Sequence, residues 1–435
     1  MEWPSVHGGQ RERSIVQSNI RMEYAGGPPV NTVPLGRTLL PTPSPSPRHR
    51  VMRLLASPPD AAQSAASEIK AAGEWPAVLR LCERWKVLPA VAARLAALGR
   101  SLPPVEVDEL RRATAAQFIR TSLCLRAGSE AMQRLHAVGI KAAAFKGCAV
   151  IALLHANARD RMLQDVDILI RADDLSATLT TLEAHGYRRD VTSGSLADYI
   201  AFVKNSPGAA GNQAVSLSNP AGNHLDLHWK LGRFDTEALL TTARSVRVLN
   251  VETTVVRPAF GLLLTVHHAV RNDLIPDEIA RDILDCGGWF RLLAADPEEL
   301  SCGLDYARRW GLDDAVHAVS MIVQHFGDDS PLPVAATGST AAALADLYLR
   351  QLDSEPINSD LPYLASPRAI GQILSGALSG WRRYAGLMRE FEAANGEASL
   401  TLSERVKRLA TAAWQLSPTQ WRQVRALARA KDRLL

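Results

Sequence analysis

Several class-defining features are missing from the chain. Its five cysteines, Cys82, Cys124, Cys148, Cys286 and Cys302, are scattered, and none forms a CxxC pair. That argues against a zinc knuckle or a disulfide framework, and for free thiols in a reducing cytoplasm. No apolar run approaches the ~20 residues that a membrane-spanning helix needs. No compact charged region followed by an apolar core opens the chain, so no secretory signal is expected. Net charge is small: 49 Lys and Arg against 45 Asp and Glu leave +4, too little to point to a nucleic-acid partner for the whole molecule. Hydrophobic residues at 47% and charged residues at 22% of 435 residues describe an ordinary globular composition with material for two or three domains.

Punctuation divides the chain. Residues 1–60 read as a disordered tail, with Gly26-Gly27-Pro28-Pro29 and the proline/serine run Pro41–Pro47 as a linker. Met22 and Met52 offer internal starts. Residues 61–139 read as an N-terminal helical region. Val78, Leu79, Leu81 and Trp85 recur at helical spacing, Pro89 interrupts, and a long Ala/Leu/Arg-rich helix runs over 105–137 before Gly139. Residues 140–252 alternate short apolar runs with helical ones: strand 140–145, helix 148–155, strand 162–170, helix 173–183, a polar Gly-rich connection over 193–222, and strand 225–229. Residues 253–435 read as a C-terminal helical region with helices at 259–270, 279–293, 300–310 and 313–326. The fold class expected is α+β, a small mixed-sheet core between helical flanks.

The chemistry gathers in the middle region. Gln164-Asp165-Val166-Asp167-Ile168-Leu169-Ile170 puts two carboxylates two residues apart on a strand, so they share a face. Asp226 lies between two leucines on the later strand. Carboxylates on neighbouring strands can converge on a hard divalent cation such as Mg²⁺, which suits phosphoryl chemistry. The plainer alternative is a solvated strand end or a pair of helix-capping acids. Lys146 could neutralise phosphate charge and Gly147 could let the backbone approach a phosphate, or both could simply form a turn. Arg161 reads equally as a phosphate contact or a structural ion pair. His228 shares the Asp226 face and could be a base or an orienting partner, with a structural role favoured. For His267-His268 with Asp282 and Asp285, helix packing and capping are favoured over a second metal site. The basic stretch 405–435 reads as a solvated helix face.

Taken in order, these pieces resemble the bacterial family of uncharacterised nucleotidyltransferases with helical flanks, within the superfamily that includes DNA polymerase β. Glu74–Leu79 with Trp85–Pro89 resembles the family's N-terminal helical hairpin, and Ala144–Ala149 its lysine–glycine turn. Arg161–Ile170 resembles its paired-aspartate strand, and His224–Trp229 its later acidic strand. His267-His268 with Arg281–Asp285 resembles its helical C-terminal part. The likeness covers residues 61–326. It implies that Asp165, Asp167 and Asp226 hold one or two Mg²⁺ ions, that Lys146, Gly147 and Arg161 contact the nucleotide, and that a nucleoside monophosphate passes from an NTP to a small-molecule, peptide or protein acceptor. Asp226 is further implied to help activate that acceptor. Two departures stand out: Cys148 follows Gly147 where the wider superfamily carries serine, and Gly147 lies unusually far from Asp165. The other readings are a non-catalytic nucleotide-binding or scaffold protein, and a phosphotransferase on the same core. Acceptor, nucleobase and oligomeric state are not legible.

Overall fold

The computed structural model describes residues 45–99, 104–155, 157–189, 212–249, 251–272, 274, 276–327, 330–332 and 339–353. The expectations for 1–44, for most of the connection before 212, and for the basic stretch 405–435 lie outside these residues.

Prolines open many of the helices. Helices α1 (Pro47–Ala56), α2 (Pro59–Ala71), α3 (Trp75–Arg84) and α4 (Leu88–Ala97) each carry proline at the first or second position. There the missing N–H has no intrahelical partner to lose. Pro89 therefore starts α4 as much as it interrupts the run before it. Helix α5 (Pro104–Ala137) follows as one long rod. Helix α1 corrects the expected tail over 1–60: Ser46 caps it through His49 N–H, and Val51, Met52 and Leu54 are fully buried. Its apolar residues outweigh the Pro/Ser context that precedes it.

The sheet then forms from β1 (Ala143–Ala144), β2 (Asp165–Leu169), β3 (Arg188–Arg189), β4 (Asn212–Ser218), β5 (His224–Leu231), β6 (Arg244–Val248) and β7 (Val251–Val255), in the order β3-β4-β5-β2-β1-β7-β6. β2 pairs with β5 and β1 with β7 in parallel; the other pairs are antiparallel. The sheet is thus mixed, and the α+β expectation holds. Helices α6 (Gly147–Leu154), α7 (Leu175–Ala184) and α8 (Thr236–Thr241) lie between strands. Beyond the short additions β3 and α8, two features depart from the sequence reading. Strand β4 occupies the end of the expected connection, and the β6–β7 hairpin extends the sheet to Val255, past the expected boundary at 252.

Helices α9 (Pro258–Arg271), α10 (Pro276–Ala294), α11 (Pro297–Trp310), α12 (Asp313–His325) and α13 (Thr340–Asp353) complete the described chain. Gly311, left-handed at φ 70°, ends α11. Their core holds the fully buried Trp289, Tyr348, Phe260 and Phe290. Glu299, buried on α11, accepts from Arg257, from Arg244 on β6 and from the Ala259 N–H, tying the hairpin to the helices. No described helix is long and apolar enough to cross a membrane.

Helix α5 packs on the sheet face that carries Val166. A Cβ at Gly128 would stand 2.7 Å from Val166 Cγ1, so only glycine lets the helix lie this close. Gly128→Ala is expected to destabilise the protein by about 1–3 kcal/mol through overpacking, checked by the midpoint of denaturant unfolding.

Candidate metal and phosphate site

Strand pairing builds the site. In the parallel ladder, Asp167 stands directly opposite Asp226, and Asp165 opposite His224. Alternation turns Val166 and Ile168 into the core and Asp167 to the other face. On β5 the same rule turns Asp226 and His228 together. Ligand atoms of Asp167, Asp226 and His228 lie within 4.8 Å of one another. Asp165 is not in that cluster; it sits at the exposed start of β2. The protein around it still strips water, and the charges of Asp167 and Asp226 add to that, so its carboxyl is raised above the usual range.

Asp167 is the buried centre. Lys146 Nζ donates to its Oδ1 at 2.6 Å, and His228 Nε2 lies 2.9 Å from the same oxygen. Burial opposes ionisation here, but the lysine and histidine outweigh it and hold Asp167 well below the usual carboxylate range. The same contact holds Lys146 above the usual lysine range against its own burial. His228 packs edge-on against Phe145 at 5.0 Å, and its Nδ1 is buried without a hydrogen-bond partner. With Nε2 turned to Asp167, His228 orients a carboxylate. Asp226 accepts from Ser216 Oγ at 2.5 Å and remains partly exposed.

The turn that delivers Lys146 is strained. Lys146 has φ 47° and ψ −126°, a region costly for a residue with a side chain. Gly147 follows for a steric reason: a Cβ there would stand 2.6 Å from Leu163 Cδ1 and 2.8 Å from Arg161 Nη1. Cys148 is buried, and burial with the Asp167 charge pushes its thiol up to about 12, so it stays neutral. Its side chain does not replace the serine of the wider superfamily pattern.

Arg161 is committed to protein acceptors. Its Nε lies 3.1 Å from both Asp285 oxygens, Nη2 lies 2.7 Å from Oδ2, and Nη1 donates to the Met162 carbonyl. A guanidinium this buried needs a carboxylate at hand. The arrangement favours the ion-pair reading of Arg161 over the phosphate contact. His267 is packed as expected, edge-on to Phe234 at 5.0 Å. Asp285 holds Arg161, and Asp282 accepts from His268 Nδ1 at 2.7 Å; both acids sit within α10 rather than at its cap.

Lys146, Gly147, Asp165, Asp167, His268 and Arg281 all border one small cavity of about 90 Å³. The donor set fits a hard divalent cation: carboxylate oxygens from two adjacent rigid strands, with a third at the rim. Arg281, which the sequence places only within the helical C-terminal likeness, joins this cavity. The available signal was one arginine heading two buried aspartates one turn apart, Asp282 and Asp285.

A family model described as uncharacterised nucleotidyltransferase matches residues 71–328, more than half of the chain. The chain belongs to this family. Every residue of the β2–β5 cluster falls within the matched span, as do Lys146 and the Arg161–Asp285 pair. No curated protein matches the chain. Among solved structures, the crystal structure of an antigenic nucleotidyltransferase-like protein from Paracoccidioides brasiliensis is similar over 44% of this chain and 91% of that one, at 16% identity and a TM-score of 0.27. So distant a likeness carries no argument.

Burial, followed by the charge of Arg271, pushes His267 down to about 3. Its unfolded value is about 6.5, so acidification through that interval protonates the unfolded chain first and favours it. Wild-type stability should fall as pH drops from about 6.5 toward 3, with this group contributing at most about 1.4 kcal/mol per pH unit. His267→Phe should show a shallower fall over the same window, measured by urea midpoints across pH.

Proposed function

We propose that this nucleotidyltransferase moves a nucleoside monophosphate from an NTP to an acceptor hydroxyl, with one or two Mg²⁺ ions held by Asp165, Asp167 and Asp226. The observation that carries the reading is the in-register pair Asp167–Asp226 on parallel strands, with Asp167 bordering a cavity that Lys146, Asp165 and the start of α6 also line. A bound divalent cation supplies neutralisation and orientation of the phosphates.

The residues divide the remaining tasks. His228 and Lys146 fix Asp167 through one oxygen, so the other is presented in a constant direction. Lys146 has three ammonium hydrogens and gives one to Asp167, which leaves others for a phosphate oxygen. Gly147 opens α6 toward the same cavity, aiming the positive end of the helix at the phosphates. Asp226, steadied by Ser216 and partly exposed, faces the acceptor side and helps remove the hydroxyl proton. Asp165 at the rim completes the oxygen set. Arg161 supports the floor beneath Gly147 and is not assigned to phosphate. Catalysis of this kind rests on positioning and charge neutralisation.

The test incubates the protein with each of the four NTPs, Mg²⁺ and candidate acceptors, and reads nucleotide addition by mass spectrometry together with the released product. Pyrophosphate is expected; a nucleoside diphosphate would mean phosphotransfer. Asp167→Asn and Asp226→Asn should each lower turnover by about a hundredfold or more, the scale of losing one preorganised electrostatic contact. Partner binding that survives Asp167→Asn, with no nucleotide consumed by the wild type, would instead favour a scaffold.

A further inference from the structure

Helix α4 turns Ala90, Ala93 and Ala97 to one side, at one-turn intervals. Their small side chains leave open a cavity of about 340 Å³, bordered also by α10, the end of α6, Leu55 and Ala56 of α1, Asp160, and Val323 of α12. Arg281 lines both this cavity and the small carboxylate cavity, as do Arg161 and Asp285. The two spaces therefore share a wall.

The cations at that wall are unequal. Lys146 and Arg161 each already hold a carboxylate, Asp167 and Asp285, and the neighbouring His268 is hydrogen-bonded to Asp282. Arg281 holds none; its Nε is buried with no hydrogen-bond partner. Lys86 lines the larger cavity from the residue after α3's C-cap, in a left-handed conformation at φ 58°. Among the described residues no hydrogen bond or ion pair holds Lys86. Burial, then the mutual proximity of positive charges, pushes both groups below their ordinary values: Lys86 against Arg281, and Arg281 against Arg161. Two cations short of acceptors, Arg281 at the wall between a largely apolar cavity and a carboxylate site and Lys86 in the larger cavity, call for a polyanion with an uncharged body. The cavity volume falls at the lower end of ordinary ligand pockets, about 300 Å³ and upward.

We infer that the larger cavity seats the nucleoside of the NTP, with Arg281 at the shared wall and Lys86 within the larger cavity holding the polyphosphate. The inference rests on the nucleotidyl-transfer reading above. The alanine face of α4 gives a flat base an uncharged wall, and Gly287 and Gly288 keep the opposite wall low. Phosphates reaching from there toward Asp167 pass Arg281, whose guanidinium has no carboxylate hydrogen-bonded to it among the described residues.

Calorimetric titration of the full-length chain tests this, with Mg²⁺ throughout. One probe is a non-cleavable α,β-methylene NTP of each base; the other is inorganic tripolyphosphate, which has no nucleoside. Ala93→Phe and, separately, Ala90→Phe fill the cavity and should weaken nucleotide binding about tenfold or more. Both should leave tripolyphosphate affinity unchanged, which also shows that the fold survives. Arg281→Met should weaken both probes to a similar degree. Unchanged nucleotide affinity in both phenylalanine variants overturns the inference, as does equal loss of both probes. If the wild type binds nucleotide, loses it on Asp226→Asn, and ignores both phenylalanine substitutions, only this inference fails. If the wild type binds no NTP, the inference and the proposed function fail together.

Discussion

The parallel register of β2 on β5 is the constraint from which the rest of the site follows. It sets Asp167 against Asp226 across one strand spacing, and two carboxylates so placed repel each other. Lys146 offsets that repulsion from the next turn, and it reaches Asp167 only because its backbone accepts an unfavourable angle. The turn in turn needs a glycine, since Arg161 and Leu163 crowd its next residue. Arg161 is pinned by Asp285 on α10. One strand pairing therefore commits residues from the sheet out to the C-terminal helices, and the core cannot be separated from its helical flank.

Charge within this region is distributed by a simple rule. Most carboxylates have a dedicated partner: Asp285 holds Arg161, Asp167 holds Lys146, and Asp282 is hydrogen-bonded to His268. The groups left over are the acids Asp165 and Asp226 and the cations Arg281 and Lys86, with Asp165 near enough to both cations to act on their charge. Buried pairs of this sort contribute little net stability but are costly to break. They fix geometry, and the unmatched remainder defines what ligand the site can take.

Much of this was legible in the sequence, for identifiable reasons. Period-two alternation is local, so Asp165-Val166-Asp167 and Asp226-Leu227-His228 announced their shared faces. Proline and glycine marked helix ends well, because their effects act within one turn. What the sequence hid was long-range. Whether Asp165 or His228 lies nearer the Asp167–Asp226 pair depends on register between strands, which alternation does not specify. The Arg161–Asp285 pair spans 124 residues, so its geometry was beyond reading, although the ion-pair role was one of two open. Strand β4 was read as connection because its residues Asn212–Ser218 are mostly polar and small; pairing along β5 makes it a strand. The β6–β7 hairpin was overlooked beside the stronger helical pattern that follows it, and α1 was absorbed into the proline/serine composition before it.

The ammonium group of Lys146 has a wider consequence for how the molecule assembles. Many ion-binding sites are clusters of bare like charges that cannot close until their metal arrives, and such domains fold only with it. Here a side chain of the chain itself stands in the gap from the start. The charge of Asp167 is thereby balanced within the chain itself, and the cation proposed for this site would meet a cradle already in place.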